Sequence, residues 1–155
     1  MDRGYSIDTT SSRFEAAEVH RLLSEHAYWA KNRGVETVAA SLAGSLNFGA
    51  FDEGGRLVGF SRVVSDYATF AWLCDVVVHP DHRGRGVAAA LVEAVAGHPR
   101  LRGLRRIVLA TRDAEGLYAK FGWKPLAGPE LWMAKMGEPG SGAPEAPPTR
   151  AVSKE

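Results

Sequence analysis

Apolar positions along this 155-residue chain change their spacing several times, and each change marks a new element. Ala16, Val19 and Leu23 share one helical face, and Ser12-Arg13-Phe14-Glu15 just ahead of them reads as a capping box. Val38, Leu42 and Leu46 recur every four residues and predict a second helix. The period then shortens. Phe48–Phe51 and Leu57–Val64, joined by the turn residues Asp52–Gly55, predict a β-hairpin. Thr69–Val78 is a long apolar run rich in β-branched and aromatic residues, which predicts a central strand. Val87, Leu91 and Val95 mark a third helix that stops near Gly97 and Pro99. Arg106–Ala110 predicts another strand. Asp113 can cap a short helix carrying Leu117, Tyr118 and Phe121, with Gly122 as its stop. Leu131–Met136 is a candidate last strand. Two helices, a β-meander, then strand–helix–strand–helix–strand predict an α+β (mixed α/β) domain.

The pattern lapses from Gly137 onward, where Pro139, Pro144, Pro147 and Pro148 fall among Gly, Ser and Ala. This predicts one domain over residues 1–136, packed from about Tyr5 to Met136, and a flexible Pro/Gly/Ala-rich tail over 137–155. The net charge of +1 gives no reason to expect a nucleic acid or an anionic membrane as partner. The run Arg100, Arg102, Arg105, Arg106 is a local exception, to be read as a solvated corner or an anion contact. A lone cysteine, Cys74, excludes an internal disulfide and fits a reducing compartment. No stretch approaches the ~18 apolar residues of a membrane-spanning helix. The polar N-terminus has no signal-peptide core. Cytoplasmic is the expected location.

Candidate chemistry concentrates in Leu73–Ala90, where an apolar strand runs into a basic, glycine-rich loop and then into a helix start. Free N–H groups and the positive end of a helix dipole there make a site for anions. Gly84 and Gly86 allow close backbone approach, Ala88 keeps the first turn uncrowded, and Arg83 and Arg85 add charge. A pyrophosphate-bearing cofactor suits such a loop; a plain chain reversal is the simpler reading. Gly84-Arg85-Gly86-Val87-Ala88-Ala89 also meets the dinucleotide pattern G-x-G-x-x-G/A. Three features oppose a nicotinamide site. His79–Arg83 separate the strand from the first glycine, Asp113 comes late for the ribose-binding acid, and the folded chain is too short for two βαβαβ halves. His20, His26, His79, His82 and His98 show no metal-ligand spacing with Cys74 or acidic pairs, so no metal is expected. No G-x-S-x-G elbow occurs, and Cys74, inside an apolar run, reads as packing rather than as a nucleophile.

Arg83-Gly84-Arg85-Gly86-Val87-Ala88, preceded by Val78-His79-Pro80, resembles the coenzyme A signature of GNAT-type N-acetyltransferases. A second motif of that family is similar to Thr111-Arg112-Asp113-Ala114-Glu115-Gly116-Leu117-Tyr118-Ala119-Lys120-Phe121-Gly122-Trp123. Thr111 stands where the family has Asn, and Trp123 where it has Phe. The element order fits along nearly all of Tyr5–Met136.

The resemblance implies a GNAT-like fold: a central, mostly antiparallel sheet with a splayed strand pair, flanked by about four helices. It implies acetyl-coenzyme A as co-substrate, its pyrophosphate held by N–H groups from Arg83 to Ala89. The pantetheine arm would lie along Val76, Val77 and Val78 and meet Thr111, and an N–H near Val76 would polarise the thioester carbonyl. Tyr118 aligns with the family's general acid for the departing thiolate. Asp75 falls where the family often places an acidic residue or His; it is read as a base, a substrate anchor, or an acid satisfied by a basic neighbour. Asp66, Tyr67, Arg112 and Asp113 line an acceptor site or serve as turn and cap residues. Tyr28 and Trp29 form either an acceptor wall or aromatic core. The implied reaction is direct acetyl transfer to a primary amine of a small molecule or peptide in a ternary complex. A non-catalytic acyl-coenzyme A sensor is the alternative. Members commonly form homodimers.

Overall fold

The computed structural model describes residues 4–137; the tail expected beyond lies outside the described residues. The elements are β1 (Ser6–Asp8), α1 (Ala16–His26), α2 (Val35–Ala43), β2 (Leu46–Phe51), β3 (Leu57–Ser65), β4 (Phe70–Val78), α3 (Val87–Gly97), β5 (Arg106–Val108) and α4 (Glu115–Ala119). One sheet runs in the order β1-β2-β3-β4-β5, antiparallel throughout except for the parallel β4–β5 pair. Helices cover both faces. Val87, Leu91, Val92 and Val95 of α3 pack with Phe48, Val63 and Leu73 on one side. Val19, Leu22 and Leu23 of α1 and Val38 of α2 pack with Phe51, Phe60 and Val77 on the other. No helix of the described residues is long and apolar enough to cross a membrane.

Several sequence expectations are corrected here. The capping box does not form: Ser12 sits in a 3-10 turn, Ser11–Arg13, and Glu15 at the start of α1 makes no side-chain cap bond. Phe14 instead packs on Phe51 and Phe60, with ring centroids 6.1 and 5.9 Å away, and that burial sets where α1 begins. Leu46 opens β2 rather than extending α2, because Gly44 ends the helix with its N–H on the carbonyls of Ala40 and Leu42. The turn before α4 is bridged by Thr111, whose Oγ1 accepts from the Ala114 N–H at 3.1 Å, not by Asp113. Leu131–Met136 forms no strand. Gly128 and Pro129 start a 3-10 turn there, and consecutive Leu131, Trp132 and Met133 lack the alternation a half-buried strand needs. β5 ends at Val108, short of Ala110.

β3 lies close under α3 at Gly59. A Cβ there would stand 3.0 Å from Val87 Cγ1 and 3.2 Å from both Ala50 Cβ and Leu91 Cδ1. Gly59→Ala is therefore expected to cost roughly 1–3 kcal/mol through overpacking, seen as a fall of about 3–10 °C in Tm. An unchanged Tm would mean that α3 is not seated this tightly.

Candidate functional site

β4 is the organising element. Its pairing with β5 covers only Phe70–Trp72 against Arg106–Val108. From Leu73 to Val78 that edge of β4 has no strand partner among the described residues. This is the splayed pair that the resemblance implies. The open stretch also carries a bulge. Arg62 pairs with Cys74 and Phe60 with Val77, so Asp75 and Val76 together oppose Ser61 alone. Asp75 takes up the extra residue with φ 55°, a left-handed conformation that Asp tolerates better than most side chains.

The bulge breaks the strand's alternation. Ala71 and Leu73 face α3 and so does Val78, whereas Val77 packs with α1 and α2. Asp75 is thereby aimed at the Trp29 indole and two guanidinium groups. Trp29 Nε1 donates to Oδ1 at 2.9 Å, and Arg33 Nη1 and Arg62 Nε each donate to Oδ2 at 2.7 Å. The residue is only 4% exposed. Burial alone would raise its carboxyl, but the hydrogen bond from Arg33 and the charges of Arg62 and Arg33 outweigh it, holding Asp75 below its ordinary value. Of the readings open from sequence, the geometry matches an acid satisfied by basic neighbours. An acidic residue inside an apolar strand signals that cationic partners must exist; nothing in the spacing singled out Arg33 and Arg62.

Next along β4, Cys74 is mostly buried, and burial pushes its thiol up to about 11. Its Sγ–H points at the Arg62 carbonyl, 3.6 Å away. A thiol so held is neutral near pH 7 and a poor nucleophile.

Beyond Val78 a 3-10 turn, Pro80–His82, leads into the glycine loop. Gly84 and Gly86 have φ of 74° and 79°, so both need glycine for conformation. For Gly84 this is the sole demand, since a Cβ there would meet nothing within 4 Å. The α3 hydrogen-bond ladder opens with Ala90 N–H on the Gly86 carbonyl at 3.0 Å. The N–H groups of Val87, Ala88 and Ala89 precede that first rung and have no carbonyl behind them in the helix. Arg83 Nε donates to the Val78 carbonyl at 3.0 Å, tying the loop to the end of β4. Arg85 Nη1 donates to Tyr5 Oη at 3.2 Å, and Tyr5 Oη lies 2.7 Å from His82 Nδ1. Tyr5 is thus a tether of the loop that the sequence reading missed; its partners lie too far along the chain for any local pattern to reveal.

Tyr118 is 8% exposed on α4 and packs edge-on to Trp123, ring centroids 6.2 Å apart. Its hydroxyl makes no hydrogen bond among the described residues, and burial raises its ionisation above the ordinary value. Trp123 Nε1 donates to the Ile107 carbonyl at 2.9 Å, fixing α4 against β5. Thr111, Arg112 and Asp113 lie in the link between them. Arg112 stacks on Tyr28, its guanidinium carbon 4.3 Å from the ring centroid. Asp66 serves its own turn: its carboxylate accepts from the N–H groups of Ala68, Thr69 and Phe70 and from the Thr69 hydroxyl. Tyr67 stacks under Arg100 at 3.6 Å, so part of the basic run is a stacked surface corner.

Two clefts border the glycine loop. One, of about 370 Å³, is lined by Tyr5, Glu53, His82 and Arg85 among others. The other, of about 250 Å³, lies between α1, the start of β3 and His79–His82. Neither lies in the β4–β5 gap.

The family model described as "Acetyltransferase (GNAT) family" matches residues 16–123. A solved structure from Xanthomonas campestris pv. campestris, of a protein belonging to the GNAT family, is 47% identical. That likeness covers 86% of this chain and 93% of the other, with a TM-score of 0.81. A GNAT family protein from Streptococcus pneumoniae, SP0256, is 21% identical over 86% of this chain and 95% of its own, with a TM-score of 0.63, and shows the fold alone. The mycothiol acetyltransferase of Saccharopolyspora erythraea is 38% identical over 63 residues, which are 39% of this chain and 21% of that protein.

Proposed function

Because the chain belongs to the GNAT acetyltransferase family, and is on that ground an acyltransferase, we propose that it moves the acetyl group of acetyl-coenzyme A to a primary amine. The acceptor is a small molecule or peptide, and the amine attacks directly within a ternary complex. One observation carries this reading. The open edge of β4 from Leu73 to Val78 leads, through the turn Pro80–His82, into a loop whose two left-handed glycines and unladdered N–H groups suit a pyrophosphate. An extended pantetheine arm suits the first feature and its pyrophosphate the second.

Acetyl-coenzyme A supplies the activated acyl group. The residues of this chain hold and polarise it. Val76, Val77 and Val78 offer backbone to the arm in the manner of an added strand. The N–H groups of Gly84, Arg85, Gly86, Val87, Ala88 and Ala89 cradle the phosphates, while Arg83, whose own N–H is taken by the Pro80 carbonyl, ties the loop to β4 and adds positive charge. Thr111, whose Oγ1 accepts from Ala114, keeps its own hydroxyl proton to donate to the arm. A bulge N–H near Val76 polarises the acyl carbonyl. Tyr118, buried and protonated, gives its proton to the thiolate as the carbon–sulfur bond breaks, and the amine, on forming the carbon–nitrogen bond, releases its proton to solvent, which restores that of Tyr118. Asp75 is a positioning residue rather than a base: its oxygens already accept from three donors, and it fixes Trp29, Arg33 and Arg62 around the bulge.

The test is thermal unfolding with and without acetyl-coenzyme A, with NAD as control. A ligand at about 100 times its Kd adds roughly 2.7 kcal/mol, which for a domain of this size is a Tm rise of about 5–10 °C. The expected result is a rise with acetyl-coenzyme A and none with NAD. No response at millimolar acetyl-coenzyme A overturns the assignment of the loop.

A further inference from the structure

Arg112 has no part in the roles assigned above. Arg112 makes none of the ion pairs found among the described residues. Its guanidinium rests on the face of Tyr28, a residue from the distant link between α1 and α2. Tyr28 remains 48% exposed, so the stacked pair faces solvent. Stacking occupies the face of a guanidinium and leaves its in-plane N–H donors free, the geometry that receives a carboxylate or phosphate in two-point fashion.

The pair is physically continuous with the floor of the site. The Tyr28 ring meets Trp29 edge-on at 5.0 Å, and Trp29 donates to Asp75, the residue before Val76. The line Asp75–Trp29–Tyr28–Arg112 thus runs from the bulge of β4 to the surface. Its charge is positive. Asp75 carries one negative charge against the two guanidinium groups of Arg33 and Arg62, and Arg112 adds a third. Asp75 is buried and its charge is already matched by Arg33 and Arg62, so it does not offer a free anion to a second ammonium group on an acceptor, and Asp66 is turned into its own loop. Asp113, beside Arg112, is exposed and makes no ion pair with it.

The geometry points to an acceptor amine that carries an acidic group, a carboxylate or a phosphate, which Arg112 binds from its seat on Tyr28. This rests on the acetyl-transfer reading above and specifies the class of its acceptor. The chain's small net charge does not predict it; the local arrangement does.

The experiment compares matched amines with acetyl-coenzyme A as donor: ethanolamine phosphate against ethanolamine, β-alanine against its amide, and spermidine as a polycationic control. Wild type is expected to favour the acidic member of at least one pair by roughly tenfold or more in kcat/KM, as one two-point charged contact provides. The pair with the larger ratio tells phosphate from carboxylate. Arg112→Gln is expected to collapse that ratio through the acceptor KM, with the KM for acetyl-coenzyme A and the Tm unchanged. Tyr28→Leu, which removes the seat, is expected to collapse it in part. A preference for neutral or cationic amines overturns the proposal, as does an Arg112→Gln loss equal for every amine or confined to the KM for acetyl-coenzyme A. Should no amine in the panel turn over, titration calorimetry of the same pairs on protein saturated with coenzyme A decides: equal affinity for acidic and neutral members overturns it. Failure of acetyl-coenzyme A to raise the Tm would instead strike the acetyl-transfer reading itself.

Discussion

Tyr118→Phe is expected to lower kcat for acetyl transfer by roughly 10²–10⁴-fold, the contribution of one positioned acid, while acetyl-coenzyme A still raises the Tm as in wild type. The expectation follows from what the side chain touches. The ring packs against Trp123 and the α3-side core, and Phe preserves that packing. The hydroxyl is bound to nothing among the described residues, so its removal strands no buried partner. Burial raises the phenol's ionisation, so it remains a proton donor throughout the neutral range and up to the ordinary phenol value of about 10. The pH profile of kcat should therefore show no Tyr118-dependent fall below that value. A Tyr118→Phe protein that turns over at the wild-type rate would remove Tyr118 from the chemistry. A wild-type protein that binds acetyl-coenzyme A yet acetylates nothing would favour the sensor alternative.

The second large effect is on stability. Asp75→Ala is expected to cost roughly 3–5 kcal/mol, the usual penalty for removing one partner from a buried ionic group, and to lower the Tm by about 10–15 °C. The side chains of Arg33 and Arg62 are only 10% and 16% exposed. Without Asp75 they are two like charges held together out of water. The control is to replace Asp75, Arg33 and Arg62 together by apolar residues of similar volume, which should recover much of the loss because no orphaned charge remains. A small effect of Asp75→Ala alone would show that the guanidinium groups escape to solvent. The pH dependence has a definite sign. The folded-state carboxyl of Asp75 is held below its unfolded value, so its contribution is complete above an unfolded pKa of roughly 3.9. It is lost as the pH falls through the folded value. Asp8, lowered to about 2 chiefly by its hydrogen bonds with Thr10, acts in the same direction. Acid unfolding below roughly pH 4 should therefore be shallower in the triple apolar variant than in wild type.

Most of the architecture was legible because its longer elements have strong periods. α3 needed only Val87, Leu91 and Val95, and β4 only its β-branched and aromatic run. β1 was missed because three residues, Ser6–Asp8, are too few to display alternation; they are recruited by pairing with Gly49–Phe51. Leu46 keeps the four-residue spacing from Leu42 across Gly44, where hydrogen bonding ends the helix, so spacing alone does not show that it opens β2. Within the site, the glycine loop and Tyr118 were readable from contiguous motifs. The surroundings of Asp75 are not, because its partners come from two separate segments, the α1–α2 link and β3, and meet only through a bulge that no local spacing announces. The Tyr5–His82–Arg85 tether is hidden for the same reason.

The unpaired edge of β4 also bears on how this protein behaves when it is made faster than its cofactor is supplied. Leu73–Val78 is a run of mostly apolar strand whose backbone edge no other strand covers among the described residues. Exposed apolar strand edges are templates for the strands of neighbouring molecules, and nature blunts them with charges, bulges or cover. Here the bulge at Asp75 interrupts the edge, and a bound pantetheine arm would cover the rest. Solubility during overproduction should accordingly follow the supply of coenzyme A, and preparations stripped of it should self-associate first.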